Sequence, residues 1–80
     1  MENIKVSIII PAYNAEHYIE RCINSAIHQT LREIEIIIVD DGSIDQTARL
    51  CSRFQDNRII VLYQNNAGVA SARNLGLDKA

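Results

Sequence analysis

The sequence predicts an α/β fold, a three-layer βαβαβα arrangement with one parallel sheet between helices. Three short β-branched runs alternate with stretches of helical periodicity. The runs are apolar almost throughout instead of alternating, as expected where helices cover both faces of a sheet. Short connections in a β-α-β-α-β-α order favour parallel strands with right-handed crossovers.

The first strand is expected over residues 6–10 (Val-Ser-Ile-Ile-Ile), closed by Pro11. Asn14 can cap the following helix, in which Ile19, Cys22, Ile23, Ala26 and Ile27 form one apolar stripe, with Gln29-Thr30 ending it. The second strand covers residues 34–39 and stops at Asp40-Asp41-Gly42-Ser43. Ser43 or Asp45 can cap a second helix reaching about Phe54, and Gln46 stands where a capping box from Ser43 needs it. Ala48, Cys51 and Phe54 are expected to face inward. A third strand at residues 59–62 leads through Asn65-Asn66-Ala67-Gly68 to a last helix. That helix starts near Val69 and carries Ala70, Ala72 and Leu75.

Composition bounds the function. Eighty residues make one small domain or part of a larger one, and such a chain buries only about 60–65% of its unfolded surface. With 48% hydrophobic residues and a net charge of −2, the chain is neither disordered nor suited to nucleic acid. The apolar stretches are too short to span a bilayer, and the first five residues lack a secretory pattern. Cys22 and Cys51 are expected as buried, reduced thiols on the apolar sides of their helices. A disulfide is not expected in what reads as a cytoplasmic chain.

Parallel strands bring three loops to one edge of the sheet: residues 11–14, 40–43 and 65–68. In open α/β sheets ligands bind at this edge. Asp40-Asp41 is the sharpest signal, because adjacent carboxylates repel and need donors, a cation or a ligand to hold them. Side chains alternate along a strand, so only one of the pair is expected in the crevice. Gly42 permits the tight turn. Tyr13 can stack on a planar base, and the alternative is packing over the first helix. Gly68 opens a helix whose free N–H groups suit an anion. Arg73, about one turn in, either neutralises a phosphate or pairs with Asp41. A dinucleotide fingerprint, a P-loop, a calcium loop and metal-ligand spacing are all absent from the sequence.

Three stretches taken together resemble family 2 glycosyltransferases of the GT-A (Rossmann-like) fold. They are Val6-Ser-Ile-Ile-Ile-Pro-Ala-Tyr-Asn14, Ile36-Ile-Ile-Val-Asp-Asp-Gly-Ser-Ile-Asp-Gln-Thr47 and Asn66-Ala-Gly-Val-Ala-Ser-Ala-Arg-Asn-Leu-Gly76. The resemblance implies a nucleotide-sugar site, most often for UDP-sugars, formed by Pro11, Ala12, Tyr13, Asn14, Asp40, Asp41, Gly42, Asn66, Gly68 and Arg73. Tyr13 would lie against the base, and Asp41, with Asp40 second, would accept its N–H. An ionised carboxylate is acceptor-only and matches a uracil imide donor.

The family reaction implied is inverting transfer to the hydroxyl of a glycan, lipid-linked or other acceptor. An Asp-x-Asp motif holds Mg or Mn on the diphosphate, and a later acid serves as base. Both would lie beyond Ala80, so no catalytic or metal-ligating residue is assigned here. Residues 1–80 are expected to be the nucleotide-binding half of a domain whose parent enzyme sits in the cytoplasm or at the inner membrane face. The first strand would then present an unpaired edge that favours self-association. A binding fragment without turnover is the alternative reading.

Overall fold

The computed structural model describes residues 6–28 and 34–80. The elements are β1 (Val6–Ala12), α1 (Ile19–Ile27), β2 (Ile34–Asp41), α2 (Thr47–Ser52), β3 (Ile59–Gln64) and α3 (Val69–Lys79). The three strands form one parallel sheet in the order β1-β2-β3.

β2 is central, and its alternation sorts the core into two halves. Ile34, Ile36 and Ile38 pack with Ile19, Ile23 and Ala26 of α1 and with Cys51 of α2. Ile37 and Val39, on the other face, pack with Ala72 of α3 and with Ile9, Leu62 and Leu75. Helices therefore cover both faces, which is why the β2 run carries no polar alternation. Gly76 makes the second half close. A Cβ there would stand 2.5 Å from Ile9 Cγ2, so only glycine lets α3 approach β1 this nearly.

Several expected boundaries shift. Each strand runs farther toward the loops: β1 continues through Pro11 to Ala12, β2 through both aspartates, and β3 to Gln64. Among the described strands β1 lies at the edge of the sheet, the position in which a strand proline is usually found. Asn14 does not cap α1. It adopts φ 49°, and the helix begins after Tyr18 with no side-chain cap. α2 is the short helix 47–52 following Gln46; Ser43 does not cap it, whereas Asp45 Oδ1 accepts the N–H of Thr47 at its start. The Asn14 and Ser43 side chains, and Asp45 Oδ2, are drawn into loop-to-loop bonds. Cys22 is exposed, while Cys51 is buried as expected. The rest of the expected α1 stripe packs as anticipated: Ile19, Ile23 and Ala26 are buried and Ile27 packs against the same core. Ala70 is exposed and Phe54 packs inward from beyond the end of α2. The expected stop at Gln29-Thr30 lies outside the described residues.

Candidate functional site

β2 delivers two aspartates to the loop edge, and alternation sends them to opposite faces. Asp40 continues the row of Ile36 and Ile38, whereas Asp41 continues the row of Ile37 and Val39 toward α3. Both are buried, at 3% and 4% exposure. Asp40 Oδ1 accepts the backbone N–H of Ser43 at 3.0 Å. Its charge adds to burial in pushing the Cys51 thiol up to about 11, so that cysteine is an inert thiol at neutral pH.

Asp41 is held by four separate donors. Oδ1 accepts from Gln64 Nε2 at 2.7 Å and from the Ala67 backbone N–H at 2.8 Å. Oδ2 accepts from the Gly68 N–H at 2.9 Å and, more loosely, from Asn66 Nδ2 at 3.4 Å. Asn66 Nδ2 also donates to the Asp41 carbonyl at 3.1 Å. The Gln64 bond first, then the Ala67 bond, hold the Asp41 carboxyl below its ordinary range; burial opposes them and the Gly68 bond assists. Asp41 is thus kept ionised by neutral donors, and the two side chains diverge across the sheet.

The turn between Asp41 and the 65–68 loop is steric as well as polar. Gly42 has φ 72°, and a Cβ there would stand 2.7 Å from the Asn66 backbone nitrogen. Gly68, at φ 99° and ψ 161°, leads into α3, a region open almost only to glycine.

A cleft of about 230 Å³ opens beside this arrangement, lined by Pro11, Ala12, Tyr13, Asp41, Asn66, Gly68, Val69 and Ala72. That is below the ~300–1,000 Å³ of a complete ligand pocket, so it accommodates part of a ligand. Its walls are largely apolar, with the Asp41 carboxylate as the charged group. Half-exposed Tyr13 stands at the rim.

Of the ten expected site residues, six line this cleft: Pro11, Ala12, Tyr13, Asp41, Asn66 and Gly68. Asp40 lies on the opposite face, and Gly42 shapes the turn behind Asp41. Asn14 ties two loops: its N–H donates to Ser43 Oγ at 2.9 Å and its Oδ1 accepts the Ile44 N–H at 3.0 Å. Of the two roles open to Arg73, the pair with Asp41 is not formed. Asp41 is already bound by four neutral donors, and Arg73 is exposed, with no hydrogen bond or ion pair among the described residues. Gln64 was not anticipated. The signal that finds it is register, because Asp41 and Gln64 are partners across β2 and β3.

Among the described residues, no group of three or more His, Cys, Asp or Glu converges in a way that could hold a metal ion. Three firm N–H bonds and one loose one surround the Asp41 carboxylate, a set that suits a single further N–H donor and does not fit a cation site on this carboxylate.

The profile of glycosyl transferase family 2 matches residues 7–80. The chain belongs to that family. Glycosyltransferase GlyA of Streptococcus pneumoniae is 45% identical over 76 residues, covering 92% of the chain and 11% of GlyA. The crystal structure of residues 1–349 of S. aureus TarS in complex with UDP superposes with a TM-score of 0.85 at 35% identity, covering 96% of the chain and 24% of that TarS chain. The mannosyltransferase PcManGT of Pyrobaculum calidifontis, in complex with GDP-Man and Mn2+, gives 0.87 at 25% identity, over 95% of the chain and 24% of PcManGT. The fold is that of GT-A glycosyltransferases. The chain spans between a tenth and a quarter of the length of these relatives.

Proposed function

We propose that this chain is the nucleotide-binding segment of a glycosyltransferase that takes a UDP-sugar donor. The observation that carries the reading is Asp41, an ionised carboxylate held at the wall of an apolar cleft. Tyr13 at the rim supplies a ring for the base face, and Pro11 and Ala12 give the apolar floor. Asp41 accepts the base N–H. The exposed Arg73 guanidinium, free of internal partners among the described residues, serves the diphosphate side.

In the whole enzyme the reaction would be inverting sugar transfer to an acceptor hydroxyl, of a glycan or lipid-linked molecule. A divalent cation bound by residues other than those described would supply charge neutralisation on the departing diphosphate. This segment's part is to bind and orient the donor. Two unpaired cysteines fit a cytoplasmic setting. No described helix is long and apolar enough to cross a membrane.

The test is calorimetric titration of the chain with UDP. Saturable binding is expected, weakened roughly a hundredfold in Asp41→Ala and about tenfold in Tyr13→Ala. Absence of binding, or equal binding by Asp41→Ala, refutes the reading.

A second reading is favoured by β1, an edge strand flanked by an open groove of Ile8, Ile10, Cys22 and Ala26 with Arg21 at its margin. The chain would self-associate through that edge, whether or not it also binds nucleotide. Gel filtration distinguishes the two: a concentration-independent monomer rules self-association out.

A further inference from the structure

We propose that Gln64 is a positioning residue of the base-reading site, leaving Asp41 a single acceptor position toward the cleft and so selecting a base edge with one N–H over an edge with two. The inference rests on the nucleotide reading above and deepens it to the choice of base.

A carboxylate offers about four lone-pair positions. Three at Asp41 are held firmly: Gln64 Nε2 at 2.7 Å and the Ala67 and Gly68 N–H groups at 2.8 and 2.9 Å. The two backbone donors are set by the loop, and Gln64 is set by strand register opposite Asp41. Its amide is oriented by chemistry, because turning Oε1 to the carboxylate would oppose two acceptors. The fourth position is held by Asn66 Nδ2 at 3.4 Å, near the limit of a hydrogen bond. Asn66 has a better acceptor in the Asp41 carbonyl at 3.1 Å. A ligand N–H can therefore take the fourth position while Asn66 keeps its main-chain bond.

Asn66 and Asp41 both line the cleft, whereas Gln64 does not, so Gln64 acts only through Asp41. The uracil imide presents one N–H between two carbonyls and matches one open acceptor. The guanine edge presents an N–H beside an amino group and needs both carboxylate oxygens. Meeting it would require breaking the Gln64 bond or a backbone bond.

The experiment compares UDP and GDP by calorimetry on the chain, on Gln64→Leu and on the isosteric Gln64→Glu, from pH 7 downward. The unsubstituted chain is expected to favour UDP by about tenfold or more. In Gln64→Leu that ratio falls toward one, and the pH at which UDP binding is half lost moves up. Gln64→Glu, which places a second acid against Asp41, moves that pH up further and serves if the leucine variant fails to fold. Unchanged selectivity and an unchanged pH midpoint in both variants overturn the inference and leave the nucleotide reading standing. Equal affinity of the unsubstituted chain for both nucleotides also overturns it. If that chain binds neither nucleotide, the nucleotide reading itself falls and takes the inference with it.

Discussion

The three strand-end loops are joined by two seams built on opposite plans. Between the β1 and β2 loops the ties are many and independent. Asn14 exchanges bonds with Ser43 and Ile44, and the Ala15 N–H donates to buried Thr47 Oγ1 at 2.7 Å. Asp45 accepts from Glu16 and Thr47, while Glu16 accepts from Gln46. Between the β2 and β3 loops almost everything converges on one carboxylate, Asp41, and one close backbone approach at Gly42. A distributed seam tolerates loss of any member. A seam centred on one charge turns that charge into a site, because a ligand that engages it also senses the loop holding it.

The largest effect should come from removing that centre. In Asp41→Ala, hydrogen exchange at the Ala67 and Gly68 amides should accelerate about a hundredfold or more, whereas the amides of α1 keep their protection. Equal acceleration in both regions would show that the seams are not independent.

Next in size is Gly42→Ala, which must place a Cβ 2.7 Å from the Asn66 backbone at positive φ. About 2–4 kcal/mol of destabilisation is expected in urea melts. Gly68→Ala is the control: its φ is also positive but nothing lies within 4 Å of the added carbon, so strain alone, about 1–3 kcal/mol, remains. If the two cost the same, close packing of the Asp41 seam is not what Gly42 provides.

In the distributed seam, Thr47→Val leaves the buried Ala15 N–H without an acceptor and should cost about 1–3 kcal/mol. Asn14→Gly keeps the positive φ and removes one exposed side-chain bond, which should cost under about 1 kcal/mol. A larger loss from Asn14→Gly than from Thr47→Val would overturn the account of redundancy.

The pH dependence is the smallest effect. Asp41 and Asp56 both have depressed carboxyl values, Asp56 falling to about 2 through its hydrogen bonds with Arg58. Depressed acids add stability that is fully present above their unfolded value, about 3.9, and is lost as pH falls through the folded values. Melting temperature should therefore stay level from pH 7 to about 5 and decline below about 4. A decline beginning near pH 6 would point to a histidine instead.

Much of this was legible in the sequence, for local reasons. Runs rich in β-branched residues marked the strands and the parallel order, and alternation placed one aspartate of the pair at the cleft. Asn14 and Ser43 misled because their side chains suit helix caps equally well, and Asp45 serves both the start of α2 and the neighbouring loop. What decided their role was a neighbouring loop some thirty residues away, offering N–H groups and hydroxyls. Cys22 misled because a helix can carry an apolar residue beside the stripe that packs. Gln64 was silent for another reason: its importance comes from register, which is set by pairing with β2 and not by any local motif. For Arg73 charge alone left two roles open, a phosphate or Asp41, and the structure satisfies Asp41 with amides.

The most direct test of the central claim is an amide NMR titration of the chain with UDP. Shifts should concentrate at Tyr13, Asp41, Asn66, Ala67 and Gly68, the residues around one cleft wall. Shifts confined to α1 and the free edge of β1, or scattered over the chain without saturation, would contradict the assignment of that cleft to the nucleotide.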